Sequence, residues 1–168
     1  MLIFFDTEFT ELGIDPRLIS IGLVSEDGRE FYAEMSDTYR AADCCAFVHE
    51  AVLPHLEGSE ALMTMYELTL RLGAWLEDFE QPVKLATDSI SWDWPWIQKI
   101  FYVTGTWPAN LDGKPEVLSF SAVFDDAMEK AFADGLRRHH ALDDAKANRL
   151  GWLAWMDATK DTGSGQNE

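Results

Sequence analysis

Two carboxylates stand one residue apart in the run FFDTEFT, residues 4–10, near the start of the chain. In a strand over residues 2–8 alternate side chains share a face, so Asp6 and Glu8 point the same way. Held side by side in an apolar, aromatic run, they repel each other and resist ionisation unless a positive charge joins them. A divalent cation meets that need, because hard cations take oxygen ligands. A strand ending at a solvated rim would carry the same tripeptide, so the other acids and histidines must decide. Asp88 and Asp93 follow in mid-chain, and RRHHALDDAKAN, residues 137–148, brings His139, His140, Asp143 and Asp144.

These residues need elements that bring them together. After the first strand, LISIGLVSE (residues 18–26) is β-branched and apolar and reads as a second strand. EDG makes a turn, and REFYAEM (residues 29–35) returns with period-two alternation, which completes a three-stranded antiparallel meander. Residues 40–57 read as short helical pieces broken by Pro54. Leu62, Met65, Thr69, Leu72, Leu76 and Phe79 form a stripe at helical spacing, which predicts a helix over residues 59–79 with Ser59 as its N-cap. PVKLATD (residues 82–88) reads as a buried fourth strand parallel to the first. WDWPWIQKIFYVTG then opens a helix with Pro95 near its first turn, where proline is tolerated. Residues 106–116 form a loop by their Pro, Gly and Asn content. Residues 122–133 form a helix closed by Gly135, and the last helix spans residues 141 to about 156. The outcome is an α/β fold, a mixed sheet flanked by helices. It places acids of the first strand, an acid after the fourth and the start of the last helix at one sheet edge.

The bulk composition bounds the function. With 168 residues, 47% of them hydrophobic, seven Trp and ten Phe, the chain can bury the core of one domain. We expect that domain over residues 1–157 and a polar, mobile tail over 158–168, ending DTGSGQNE. Thirteen basic against 30 acidic residues give a net charge of −17, which argues against broad, non-specific binding of nucleic acid through Lys and Arg. A nucleic-acid partner must be engaged locally or through bound cations. Cys44 and Cys45 are neighbours without a CxxC pair, so a zinc site and a disulfide framework are both disfavoured; two reduced thiols, buried as small hydrophobes in a cytoplasmic protein, are expected. No apolar run approaches a membrane span, and MLIFF, interrupted by Asp6, reads as a strand rather than a signal peptide.

The ordered set Asp6-Thr7-Glu8, Trp92-Asp93 and His139-His140-Ala141-Leu142-Asp143-Asp144 resembles the motifs of the DEDDh group of 3′→5′ exonucleases: D-x-E, an aromatic-Asp before a helix, and H-x-A-x-x-D. The resemblance covers roughly residues 1–157. Through DTEFTELGIDPRLISIGLVSEDGREFYA it is nearest to a small bacterial exoribonuclease branch acting on RNA 3′ ends. It implies the ribonuclease-H-like fold and two divalent ions, Mg²⁺ or Mn²⁺, held by Asp6, Glu8, Asp93 and Asp144. His139 would be the general base. Two such ions can stabilise both the attacking and the leaving oxygen of an in-line displacement at phosphorus, and a histidine titrating near neutrality can take the proton of the attacking water. Nucleoside 5′-monophosphates would be the products.

Several positions keep two readings. Asp88, at the strand end, competes with Asp93 or caps the following turn. His140 competes with His139, and Asp143 with Asp144; the motif register selects Asp93, His139 and Asp144. The resemblance places Leu12 as an apolar wedge against the terminal base, with a core leucine as the alternative. Thr7, Phe9 and Trp92 are further candidates for substrate contact. Trp92, Trp94 and Trp96 could stack a base or fill the core, and Arg137 and Arg138 could meet phosphates or form a solvated pair. His49 and His55 read as structural or solvated. Two rivals to an exoribonuclease stand: a proofreading or repair DNA exonuclease, and a catalytically idle module on the same fold that binds a protein partner. Several relatives pair up, so a homodimer belongs to the expectation; the sequence itself does not show one.

Overall fold

The computed structural model describes residues 1–118 and 121–163. Its sheet has six strands: β1 (Leu2–Phe9), β2 (Leu18–Ser25), β3 (Glu30–Met35), β4 (Leu62–Met63), β5 (Lys84–Thr87) and β6 (Glu116–Val117), in the order β4-β3-β2-β1-β5-β6. β1, β2 and β3 pair antiparallel, as the meander reading requires, whereas β5 lies parallel to β1 and β6 parallel to β5. The fold is α/β as expected. Helices cover both faces, so β1 is apolar on both and reads as a near-continuous hydrophobic run. Ile3 and Phe5 point into a core with Leu68, Leu72 and Leu76 of α2 (Met65–Glu77) and Ile97 and Ile100 of α3 (Ile90–Tyr102). Phe4 points the other way, against Ala145 and Trp152 of α5 (Ala141–Gly163) and Phe124 of α4 (Ala122–Ala133).

Four boundaries differ from expectation. Residues 59–79 are not one helix. Ser59–Ala61 is a single 3₁₀ turn, Leu62–Met63 adds an edge strand beside β3, and α2 starts at Met65. Its N-cap is Thr64, not Ser59. The Thr64 hydroxyl accepts the Glu67 N–H, and the Glu67 carboxylate accepts the Thr64 N–H at 2.8 Å, a capping box that outweighs the continuous helical spacing upstream. α3 starts earlier than expected, with Ser89 as N-cap, so Pro95 lies in its second turn. β6 closes the loop after α3 as a two-residue strand. α5 runs to Gly163 rather than ending near residue 156; the rest of the expected tail, 164–168, lies outside the described residues. The short helical pieces of residues 40–57 are present, the longest being α1 (Ala46–Ala51). Cys44 is half-buried and Cys45 exposed, so the expectation that both are buried is corrected; both are free thiols at the start of α1.

Candidate active site

The C-terminal ends of parallel neighbours β1 and β5 open onto a cleft of about 470 Å³, the crevice where open α/β sheets place ligands. Asp6, Glu8, Asp88, Asp93, His139 and Asp144 all line it. Alternation along β1 puts Asp6 and Glu8 on the side of α5, and a break in the β1–β2 register between Glu8 and Phe9 re-aims the strand end, a common use of bulges beside functional sites. Asp6 lies opposite Gly22 of β2. A side chain on Gly22 would come within 2.2 Å of the Leu142 nitrogen, so this glycine lets the first turn of α5, and with it Asp144, rest directly on the sheet. Asp93, in the first turn of α3 and 2% exposed, reaches β1 and β5 from the other side. Its two carboxylate oxygens accept the hydroxyls of Thr7 and Thr87, each at 2.6 Å.

His139 and His140 diverge. His139 holds a left-handed backbone, φ 60°, and faces the cleft, its ring edge-on to Phe47 of α1 at 4.9 Å. His140 turns inward, stacks on Tyr32 at 4.6 Å, and lies beside Asp143 and Glu57. Asp143 takes the Arg137 guanidinium at 2.6 Å, so it belongs to this inner network while Asp144 faces the cleft.

The electrostatics of the cleft are those of crowded acids. Burial, then repulsion from Asp93, Glu8, Asp144 and Asp88, holds Asp6 well above the usual carboxylate range. Burial with Asp144 and Asp93 pushes Glu8 up to about 8. Burial raises Asp144 to about 7, against a backbone hydrogen bond from His139. Asp93 rises to about 6, burial outweighing its two threonine donors. His139 is shifted down by burial, then by Arg138 and His55. Such a set resists simultaneous ionisation until cations join it. Two groups of ligand atoms lie within 4.8 Å of one another: Asp6, Asp88 and Asp93, and Glu8, His139 and Asp144. Oxygen-rich and short of countercharge, this donor set fits hard divalent cations.

Of the flanking candidates, Leu12 is 73% exposed on the cleft rim, so it is no core leucine. Phe9 and Trp92 stack at 5.9 Å along one wall. Trp94 instead packs edge-on to Trp107, and Trp96 is buried. The Thr7 hydroxyl is engaged by Asp93. Arg138 stands at the cleft over the Phe132 ring and pairs with Glu129, whereas Arg137 is committed to Asp143 and Glu57. Asp88 does not cap α3: its carboxylate accepts Asn148 Nδ2 at 3.1 Å, and the Ser89 N–H goes to Thr87 Oγ1. Phe47 and Asn148 line the cleft and escaped the sequence reading. Asn148 follows Asp144 by four, one helical turn, a spacing that could have found it; nothing in the local sequence marks Phe47.

No family model matches the chain. Two proteins of Mycobacterium tuberculosis, from strains CDC 1551 and H37Rv, each called a 3′-5′ exoribonuclease, are 38% identical to it over 98 residues. The match covers 58% of this chain and 54% of each relative, so the chain spans about half the length of the curated relatives it matches. Among solved structures, exonuclease I aligns over 99% of this chain and 44% of its own, with a TM-score of 0.56 and 12% identity. A second, apo exonuclease I structure aligns over 99% of this chain and 45% of its own, with a TM-score of 0.54 and 13% identity. These alignments show the fold, ribonuclease-H-like. The resemblance to 3′→5′ exonucleases, read from the motifs, is borne out by the mycobacterial relatives together with this shared fold.

Proposed function

We propose that this chain is a two-metal-ion 3′→5′ exonuclease that hydrolyses phosphodiesters at RNA 3′ ends and releases nucleoside 5′-monophosphates. The observation that carries the reading is the convergence of Asp6, Glu8, Asp93, Asp144 and His139 from three separate elements and a connecting loop on one open cleft, with the acids held above their usual range. That the mycobacterial relatives are called exoribonucleases supports RNA as the substrate.

In this reading Asp6, Glu8, Asp93 and Asp144 would hold two ions, Mg²⁺ or Mn²⁺, which would supply positive charge to the phosphoryl and leaving oxygens. His139 takes a proton from the attacking water; burial, with Arg138 and His55, lowers its proton affinity and so favours the neutral form that can accept one. The water oxygen bonds to phosphorus, the bond from phosphorus to the 3′ oxygen breaks, and the shortened strand keeps a 3′ hydroxyl. The Thr7 and Thr87 hydroxyls keep Asp93 aimed at the cleft. Leu12, Phe47 and the Phe9–Trp92 stack offer apolar surface to the terminal bases; base–aromatic stacking contributes roughly 1–3 kcal/mol per base. Arg138 is placed for a phosphate. Cations held in the cleft let an acidic protein engage a polyanion.

The test is a gel time course on 5′-labelled RNA and DNA 12-mers with Mn²⁺, with EDTA, and with Asp6→Ala. The expected result is a ladder shortening from the 3′ end, lost with EDTA and in the variant, and faster on RNA. Well-folded protein that cleaves neither strand in Mn²⁺ or Mg²⁺ would overturn the reading, and equal or faster cleavage of DNA would overturn its RNA preference.

A further inference from the structure

Of the cleft acids that the motif does not use, Asp88 is the one whose ligand atom groups with those of the motif acids. It sits where β5 ends at Thr87 and α3 is capped by Ser89, and its ligand atom lies within 4.8 Å of those of Asp6 and Asp93. A carboxylate placed beside two others at a strand end destabilises the cleft unless it has work there. The capping role is absent, because its hydrogen bond comes from Asn148, not from the N–H groups of the turn. Asp93 already gives each oxygen to a threonine hydroxyl, which leaves the Asp6 side of the cleft short of free lone pairs. Hard cations bind six or more oxygens.

Asn148 is the second, independent observation. It is 1% exposed, lines the cleft, and donates Nδ2 to Asp88 at 3.1 Å. Its Oδ1 is buried without a partner among the described residues. A buried amide oxygen left unpaired costs roughly 1–3 kcal/mol, and native structures keep such groups when a ligand or ordered water completes them. Resting on the two-metal reading above, we infer that Asp88 is a further ligand of the ion held between Asp6 and Asp93, and that Asn148 is its positioning residue, fixing the carboxylate and turning an amide oxygen toward the water around that ion. Glu8 and Asp144 of the second group would then serve the other ion, with His139 beside them as the base. Five of the cleft carboxylates would thus serve the two ions, rather than four.

Mn²⁺ alone is the probe. Metal-stripped full-length protein is titrated with Mn²⁺, free aqueous ion is counted by EPR, and heats are followed by calorimetry. Wild type is expected to take two ions. Asp88→Asn keeps the shape and can still accept from Asn148; it should weaken one ion by roughly ten- to hundredfold and leave the other unchanged. Asn148→Ala should weaken the same ion by a smaller factor. Asp88→Ser is the second variant should Asp88→Asn fold poorly, with circular dichroism in EDTA as the check. Two ions at wild-type affinity in folded Asp88→Asn or Asp88→Ser would overturn this inference and leave the exonuclease reading standing. Weakening of both ions alike would overturn the assignment of Asp88 to one set. Wild type that takes up no Mn²⁺ would overturn the two-metal reading and this inference together.

Discussion

Two clusters of ionisable groups flank the first turn of α5, and they are built on opposite principles. On the inner side Arg137, His140, Asp143, Glu57 and Glu34 balance one another. Burial opposes the charge on Asp143, but the Arg137 hydrogen bond and charge hold its carboxyl below the usual range. Glu34, 2% exposed, accepts the N–H groups of Glu57 and Gly58 and the Tyr32 hydroxyl. This cluster ties the His139–His140 loop to β3 and to residues 55–58. On the cleft side Asp6, Glu8, Asp88, Asp93 and Asp144 form no ion pair among the described residues; Arg138, whose charge reaches Asp144, is engaged with Glu129 and the Phe132 ring. The inner cluster carries its own arginine, although His140 Nε2 has no hydrogen-bond partner among the described residues. The outer one lacks a paired cation among the described residues, and that contrast marks it as the candidate site.

The contrast breaks most sharply under substitution of the outer cluster. Asp144→Asn should lower 3′-end hydrolysis by at least about 10³-fold, the loss of several kcal/mol of charge stabilisation in the transition state. Thermal stability in EDTA should hold or rise, because a repelling charge is gone. A fall in melting temperature comparable to that of a core variant would contradict the picture. Gly22→Ala acts next. Its Cβ would strike backbone of α5, which cannot move as a side-chain tip can, so a loss of roughly 1–3 kcal/mol in chemical denaturation is expected, with activity reduced beyond that loss because Asp144 shifts from Asp6.

Asp143→Ala probes the inner cluster. It leaves Arg137 and the buried His140 without their carboxylate and should destabilise by roughly 1–3 kcal/mol, discounted because the Arg137 side chain is 37% exposed. The sign opposes that of Asp144→Asn in the same EDTA melt; equal signs would dissolve the distinction. The smallest effect is the pH dependence. Folding raises Glu8 to about 8, Asp144 to about 7 and Asp93 to about 6, all above unfolded values near 4. The folded state therefore binds more protons, and stability is fully present below the unfolded values and lost as pH rises through about 6 to 8. In EDTA the melting temperature should fall between pH 5.5 and 8.5, and added Mn²⁺ should stabilise more at the upper end. A metal-free melting temperature that is flat or rising over that range would show that the acids are not crowded.

Much of this was legible in advance because it is local. The meander follows from alternation and a turn, and the pairing of β5 with β1 from an apolar run too short for a helix. Asp6 and Glu8 stood out through their spacing, and the resemblance to the family motifs selected Asp93, His139 and Asp144. Other features needed no tertiary knowledge yet were read wrongly. Thr64-x-x-Glu67 is a capping box in plain view, but the helical stripe running through Leu62 concealed it. What escaped was non-local: Phe47 meets His139 from 92 positions upstream, and Gly22 matters only because a helix from the far end of the chain lands on it.

By itself the sequence determined the α/β class, the order of its elements and the inventory of acids and histidines, since period, turn chemistry and spacing act over a few residues. Tertiary structure alone decided that Asp88 joins Asp6 and Asp93 instead of capping a helix and that Asn148 holds it, and it gave the physical reason why His139 and Asp144, rather than their neighbours, face the cleft. The physical reason is that burial and charge repulsion depend on which side chains converge in space. Asp143 and Asp144 are chemically the same until one meets Arg137 and the other meets Glu8.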